Sequence, residues 1–337
     1  MKQTLCTVTS NVEISPGVRL MWVEAPDIAI AAQPGQFVTV CCEDFILRRP
    51  LSIHQVVIGG NVIAVSRSPE RSEGEANQSQ LAILFKVVGR GTLWLSQRQA
   101  GDKIDILGPL GEGFDIPSVI ARHEVPRQSR NLLLVAGGIG IAPLIFLAQY
   151  ASPQHLITLI HGASTARELY PFSSLRTLRS PCHSERVSRS PERSEGEESR
   201  GAQDKLREES HPSGQAPQSN FLPLTNKVRF IPVTEDGSMG EKGMVTDILP
   251  GFLDWADQIY ACGPVEMYKA MSNLSCHSER SEESKLKKCQ ISLEVRLGCG
   301  IGACYGCTIN TKRGLKRVCR DGPVFELDDI LWEEVII

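Results

Sequence analysis

Two kinds of hydrophobic patterning divide the chain. Residues 1–110 alternate apolar and polar positions, or form short apolar runs, at 5–10, 18–23, 36–42, 51–57, 81–88 and 103–107. Pro34-Gly35, Gly59-Gly60 and Gly101-Asp102 separate these runs as turn signals. Short strands at this spacing predict a small antiparallel β-barrel. After residue 130 the pattern changes. Residues 131–136 are continuously apolar, as strands of a parallel sheet covered on both faces are. Gly137-Gly-Ile-Gly-Ile-Ala-Pro143 then turns into an apolar helical stretch at 144–150, and another strand follows at 156–161. Further strands at 228–233 and 258–261 complete a doubly wound α/β pattern.

The expected organisation is a barrel over residues 1–110, an α/β domain over 111–274 and a small cysteine-rich domain over 288–337, with Gly108–Phe114 as the hinge between the first two. Three polar stretches interrupt it, at about 66–79, 180–220 and 275–287. Ser66–Glu75 recurs residue for residue at Ser188–Glu197, and Cys182-His-Ser-Glu-Arg recurs from Cys276. Ser, Glu and Arg dominate these pieces, which cannot bury apolar area. They read as inserted loops; the alternative is a mixed-charge binding tail.

Composition narrows the class. The 337 residues are 41% hydrophobic with a net charge of −3, so no nucleic-acid footprint is present. No apolar run reaches the roughly 18 residues that a membrane span needs. The first residues alternate like a strand and lack a signal-peptide apolar core, so a cytoplasmic protein is expected. In that setting eleven cysteines point to metal or catalytic use more than to disulfides.

The chemistry concentrates at Cys299-Gly-Ile-Gly-Ala-Cys304-Tyr-Gly-Cys307, followed by Cys319. A C-x4-C-x2-C run with a later fourth cysteine is the spacing of a plant-type [2Fe–2S] centre. Structural zinc, the alternative, usually pairs its cysteines in two short knuckles. A one-electron centre needs a donor and an acceptor elsewhere. Arg48-Arg49-Pro50-Leu51-Ser52 at a strand start places a guanidinium and a hydroxyl where they could clamp a phosphate and a flavin edge. Gly89-Arg90-Gly91-Thr92 precedes a helix and offers free N–H groups. Either motif alone is equally an ordinary turn. The glycine turn at 137–140 is not the G-x-G-x-x-G fingerprint, yet it stands where a doubly wound sheet binds nucleotides. Cys262-Gly263-Pro264 and the loop Thr234-Glu-Asp-Gly-Ser238 each follow a strand's carboxyl end, the ligand side of such sheets. A lone cysteine such as Cys262 is otherwise a small core residue.

In this order the motifs resemble the electron-transfer subunits of bacterial NAD-linked (type B) dihydroorotate dehydrogenases, within the ferredoxin-reductase superfamily. The most specific matches are Leu297-Gly-Cys-Gly-Ile-Gly-Ala-Cys-Tyr-Gly-Cys307 and Arg317-Val-Cys-Arg-Asp-Gly-Pro-Val-Phe325. Arg49–Ser52, Gly89–Thr92, Gly137–Pro143 and Cys262–Pro264 are shared with the wider superfamily. The resemblance implies that Arg49, Pro50, Leu51 and Ser52 hold FAD, that Leu84, Phe85 and Lys86 line its ribityl or adenosine side, and that Gly91 and Thr92 meet its pyrophosphate. Gly138, Gly140 and Pro143 would shape the NAD pocket, and Cys262 would sit near the nicotinamide. Cys299, Cys304, Cys307 and Cys319 would ligate the [2Fe–2S] cluster. The implied partner is an FMN-containing catalytic subunit, two copies of each chain assembling, with no nucleic-acid or membrane partner. In pyrimidine biosynthesis the flow would run from the partner's FMN through cluster and FAD to NAD⁺. No acid–base pair emerges here for dihydroorotate itself. The alternatives are the small subunit of an NADPH-dependent ferredoxin or sulfide reductase, where one cluster ligand would be aspartate, and a redox sensor without turnover. Thr165 and Arg167 could accept a 2′-phosphate.

Overall fold

The computed structural model describes residues 1–42, 45–59, 61–62, 79–116, 129–172, 227–276 and 289–335, all within one compact unit. The three polar stretches lie almost wholly outside the described residues. At their margins, Ser79 is buried, and 275 and 276 are the last two positions of a helix.

The first sheet contains β1 (Lys2–Ser15), β2 (Val18–Glu24), β3 (Phe37–Cys41), β4 (Arg49–Ile58), β5 (Asn61–Val62), β6 (Gln80–Lys86) and β7 (Lys103–Leu110). Their order is β3-β7-β1-β2-β6-β4-β5, and β3 also pairs with β4, which closes six strands into an antiparallel barrel with β5 as a spur. Period-two alternation fills the inside. β7 buries every second residue, and Val8, Met21, Val38, Ile53, Ile83 and Ile104 meet in one core. Arg48 does not belong to a phosphate clamp: it pairs with Asp105 of β7 and donates to Thr39 O, pinning the barrel seam. The helix Pro26–Ala31, which connects β2 to β3 and which the sequence pattern does not predict, buries Ile28 and Ala29 in the barrel core. Six residues are too few to show a helical period. Pro26 in its first turn, with Asp27 beside it, was the available signal.

The second sheet contains β8 (Asn131–Gly137), β9 (Leu156–Ala163), β10 (Val228–Thr234), β11 (Glu241–Lys242), β12 (Gln258–Cys262) and β13 (Cys289–Ser292). The hairpin β14 (Thr308–Thr311) and β15 (Gly314–Arg317) follows, and β16 (Val324–Glu326) returns to the sheet. The sheet order is β11-β10-β9-β8-β12-β13-β16, parallel except for the last pairing. Strand order reverses beside β8, so the ligand crevice of such a sheet belongs at the carboxyl ends of β8 and β12. The helix Ile141–Ala151 is buried along nearly its whole length, and its Phe146 enters the barrel core. That helix therefore joins the two sheets. Cys307, Ile309, Val318 and Cys319 share the core of the parallel sheet with Leu133 and Ile291.

Candidate functional site

A cavity of about 1100 Å³ opens at the carboxyl ends of β8, β9 and β12, against the barrel strand β6. Its floor is the glycine turn. A Cβ on Gly140 would run into the carbonyl of Cys262, so only glycine lets the turn lie this close to β12. His161 Nε2–H donates to Gly138 O at 3.0 Å and fixes the turn from β9. Burial brings His161 down to about 4, so the ring is neutral with its proton on Nε2.

Of the residues singled out from sequence, Leu84, Lys86, Gly138, Gly140, Glu235, Gly263 and Pro264 line this cavity. Lys86 Nζ also pairs with Glu168 at 3.6 Å. Phe85 does not line it: strand alternation turns its ring into the barrel core. Pro143 is packed inside its helix. Cys262 is fully buried behind Gly140 and Gly263, and burial, more than the nearby Glu294 charge, raises its thiol well above the usual range. Sequence reasoning missed Lys269 and Glu294 among the charged groups of the lining, whereas Glu235 belongs to the loop after β10 that the sequence placed on the ligand side. Glu294 opens onto the cavity, and desolvation by the surrounding protein raises its carboxyl. Its position shortly before the cysteine loop was the only signal.

The second group of residues forms its own cradle outside that lining. Arg49 packs its guanidinium on Gly91, where any Cβ would collide with it. Arg49 donates to Leu47 O at 2.6 Å, and Arg49 and Arg90 both lie 5.2 Å from the Phe45 ring centroid. No spacing along the chain signals that shared ring, because cation–π partners need none. Pro50, Leu51 and Ser52 are half-buried on β4, opposite Thr39, Val38 and Phe37. Thr92 accepts from the Val88 and Gly89 amides at 3.0 and 3.2 Å, which ties the turn to the helix Arg90–Ser96.

The four cysteines gather on one loop and one short helix. Cys307 Sγ and Cys319 Sγ are 3.3 Å apart. The consecutive amides of Gly302 and Ala303 donate to Cys319 Sγ at 3.1 Å and Cys299 Sγ at 3.3 Å, which brings a sulfur of each end onto the same turn. Cys304 Sγ accepts from the Cys299 and Gly306 amides, both at 3.4 Å. Burial raises the Cys299 thiol, but the Ile301, Cys304 and Ala303 amides outweigh it and bring it down to about 6. Burial and the neighbouring Cys307 push Cys319 up to about 12. Arg317 braces the loop, donating to Gly302 O at 2.9 Å and lying over the Tyr305 ring. Tyr305 is the only described non-glycine residue in the left-handed region, with φ 59°. Among the described residues no three His, Cys, Asp or Glu side chains converge to hold a single metal ion. Amides directed at thiolate sulfurs along a loop suit a cluster that brings its own sulfide bridges.

A closed barrel joined to a doubly wound sheet defines the fold of ferredoxin-reductase-type oxidoreductases. The NADH-dependent reduced ferredoxin-NADP oxidoreductase superposes with a TM-score of 0.62 at 22% identity, over 98% of this chain and 91% of that one. A ferredoxin NADP⁺ reductase from Neisseria gonorrhoeae superposes at 0.52 and 14% identity, over 86% and 98%. Residues 294–331 match the iron–sulfur cluster binding domain of dihydroorotate dehydrogenase B. The electron transfer subunit of dihydroorotate dehydrogenase B (NAD(+)) from Desulforamulus reducens is 32% identical over 95% of this chain and 95% of its own length. Its namesake from Caldanaerobacter subterraneus is 29% identical over 89% and 87%. The chain belongs to this family of dihydroorotate dehydrogenase B electron transfer subunits.

Proposed function

We propose that this chain carries electrons between a nicotinamide nucleotide and a separate catalytic subunit that oxidises dihydroorotate on FMN, in pyrimidine biosynthesis. The observation that carries the reading is the cysteine loop, where the Gly302 and Ala303 amides hold Cys319 and Cys299 on one turn. Cys299, Cys304, Cys307 and Cys319 would ligate a [2Fe–2S] cluster there, and all four are cysteine, against the aspartate that the alternative reductase reading expects. Arg49, Pro50, Leu51, Ser52, Gly91 and Thr92 would hold FAD, with Leu84, Lys86 and the Phe85 backbone along it. Gly138, Gly140 and Pro143 shape a pocket for NAD, and Cys262 positions its nicotinamide side from behind the wall. When bound, nicotinamide supplies hydride exchange, the cluster supplies single-electron exchange, and flavin supplies both.

The chain's own groups bind, orient and exclude water. Arg49, its guanidinium held against Gly91, would meet a phosphate of the flavin nucleotide. The neutral His161 keeps the glycine turn open toward the cavity without adding charge. The buried Cys262 thiol, raised well above the usual range, is not a nucleophile. No helix among the described residues is long and apolar enough to cross a membrane. We assign the chain to the cytoplasm, where its thiols stay reduced.

The test is anaerobic purification of the chain alone. It should be yellow to red-brown, reduce artificial acceptors with NADH and leave dihydroorotate untouched. Orotate formation by the isolated chain, or a colourless chain, would sink the reading.

A further inference from the structure

Beyond that assignment, and resting on it, one buried hydroxyl governs the nicotinamide end of the cavity. With the pyrophosphate at the glycine turn after β8, that end lies over Gly263 and Pro264, which line the cavity beyond β12. The wall there is glycine turn against glycine turn. A Cβ on Gly137 would meet Pro264 Cδ at 2.7 Å, and a Cβ on Gly140 would run into the Cys262 carbonyl. The way the Cys262–Gly263 peptide is turned therefore decides the shape of the wall. Tyr268, on the helix Val265–Cys276, fixes that peptide from behind. Gly263 N–H donates to the Tyr268 hydroxyl at 2.9 Å, and the hydroxyl donates onward to Ser292 O at 2.7 Å. A trans peptide points its N–H and its carbonyl in opposite directions. The bond that holds the Gly263 amide inward thus also aims the Cys262 carbonyl at the glycine turn.

Tyr268 is fully buried and stands outside the cavity lining, with its ring stacked on Trp332 at 5.5 Å between centroids. Burial raises its hydroxyl well above the usual range, so it stays a donor. Its acceptor lies at the end of β13, and the next amide, Leu293 N–H, donates to Pro323 O at 2.8 Å. One of these segments runs on to Cys299 and the other comes from Cys319. The hydroxyl therefore ties the cavity wall to the chain on both sides of the cysteine loop.

We propose that Tyr268 is a positioning residue for hydride exchange: its hydroxyl locks the Cys262–Gly263 peptide and so sets where the nicotinamide ring rests. The step it serves moves one hydride from NADH to flavin, which leaves NAD⁺ and reduced flavin. Tyr268 touches neither. Without the hydroxyl, the Gly263 amide and the Ser292 carbonyl lose their shared partner, and the peptide is free to turn. Misplacing a reacting group by about 1 Å slows transfer far more than it weakens binding.

The test is Tyr268→Phe, which keeps the ring on Trp332 and removes the hydroxyl. In the full chain, purified anaerobically with its cofactors, rapid mixing with NADH should show flavin reduction slowed about tenfold or more. Calorimetric affinity for ADP-ribose, which lacks the nicotinamide, should move by less than about threefold. Tyr260→Phe is the comparison. It removes another buried hydroxyl bond, to Asp115 O at 2.8 Å, and should leave the reduction rate unchanged. In the unaltered chain the Gly263 amide should exchange slowly with deuterated solvent although it borders an open cavity, a measurement that needs no variant. An unslowed Tyr268→Phe, an ADP-ribose affinity that falls as far as the rate, equal slowing in Tyr260→Phe, or fast exchange at Gly263 overturns the proposal. If the unaltered chain binds no ADP-ribose and is not reduced by NADH, the function proposed above falls, and this inference with it.

Discussion

His54 Nε2 accepts a hydrogen bond from the Tyr170 hydroxyl at 3.1 Å, across 116 residues of sequence. His54 Nδ1–H donates to Ala142 O at 3.0 Å, so the barrel strand β4 is tied to the helix that follows the glycine turn. Tyr170 N–H in turn donates to His161 Nδ1 at 3.4 Å. Both rings are neutral, each with a defined proton, and between them they connect the barrel to the glycine turn.

Acid should loosen this connection first. Desolvation lowers both histidines from 6.5 to about 4 in the folded chain. The unfolded chain therefore binds more protons between those values, and stability falls as pH drops from about 6.5 toward 4. Each ring accounts for about 3 kcal/mol over that window, at 1.36 kcal/mol per unit. Urea denaturation between pH 4 and 8 should show the slope, and His54→Gln should reduce it. A flat profile in the unaltered chain would contradict the neutral pair.

Glu294 should tilt stability the opposite way. Its folded carboxyl, open to the cavity, is raised by desolvation from the protein around it, so the folded state holds the proton longer than the unfolded state does. Stability tied to this group is present at low pH and declines as pH rises above the ordinary carboxylate value. The stability of Glu294→Gln relative to the unaltered chain should therefore improve from pH 4 to pH 8.

Cys304→Ser should remove iron and the red-brown absorbance while flavin remains bound, because the loop and the Arg49 cradle share no side chain. Iron analysis with visible spectra reads both. Cys41→Ser, on β3 of the barrel, should keep the full iron content.

Gly140→Ala should weaken nucleotide binding and destabilise the fold together. The new methyl meets the Cys262 carbonyl, and overpacking of this kind costs about 1–3 kcal/mol. Thermal unfolding and NADH titration check the pair of effects. Loss of binding without any loss of stability would mean that the close approach to β12 is not the constraint.

The sites divide by how far apart their parts lie in sequence. The gathering of the four cysteines was legible because they are near neighbours, Cys307 and Cys319 being 12 residues apart, and such spacing is a local property. The barrel and the parallel sheet were legible for the same reason, since alternation and continuous apolar runs are set by adjacent residues. The helix Pro26–Ala31 was not, being shorter than two turns.

What the chain's order of residues determined by itself was the sequence of elements, the spacing of the four loop cysteines and the glycine turn. What only the tertiary structure decided was which side chains line the cavity and which turn away from it. It split Arg48 from Arg49, sent Phe85 into the barrel, and put Cys262 behind a wall. It also brought Glu235 and Glu294 into the cavity lining, and joined His54 to Tyr170. The physical reason is that local patterning encodes burial on one face of an element, whereas the cavity is made where elements distant in sequence meet, and no period along the chain records that meeting.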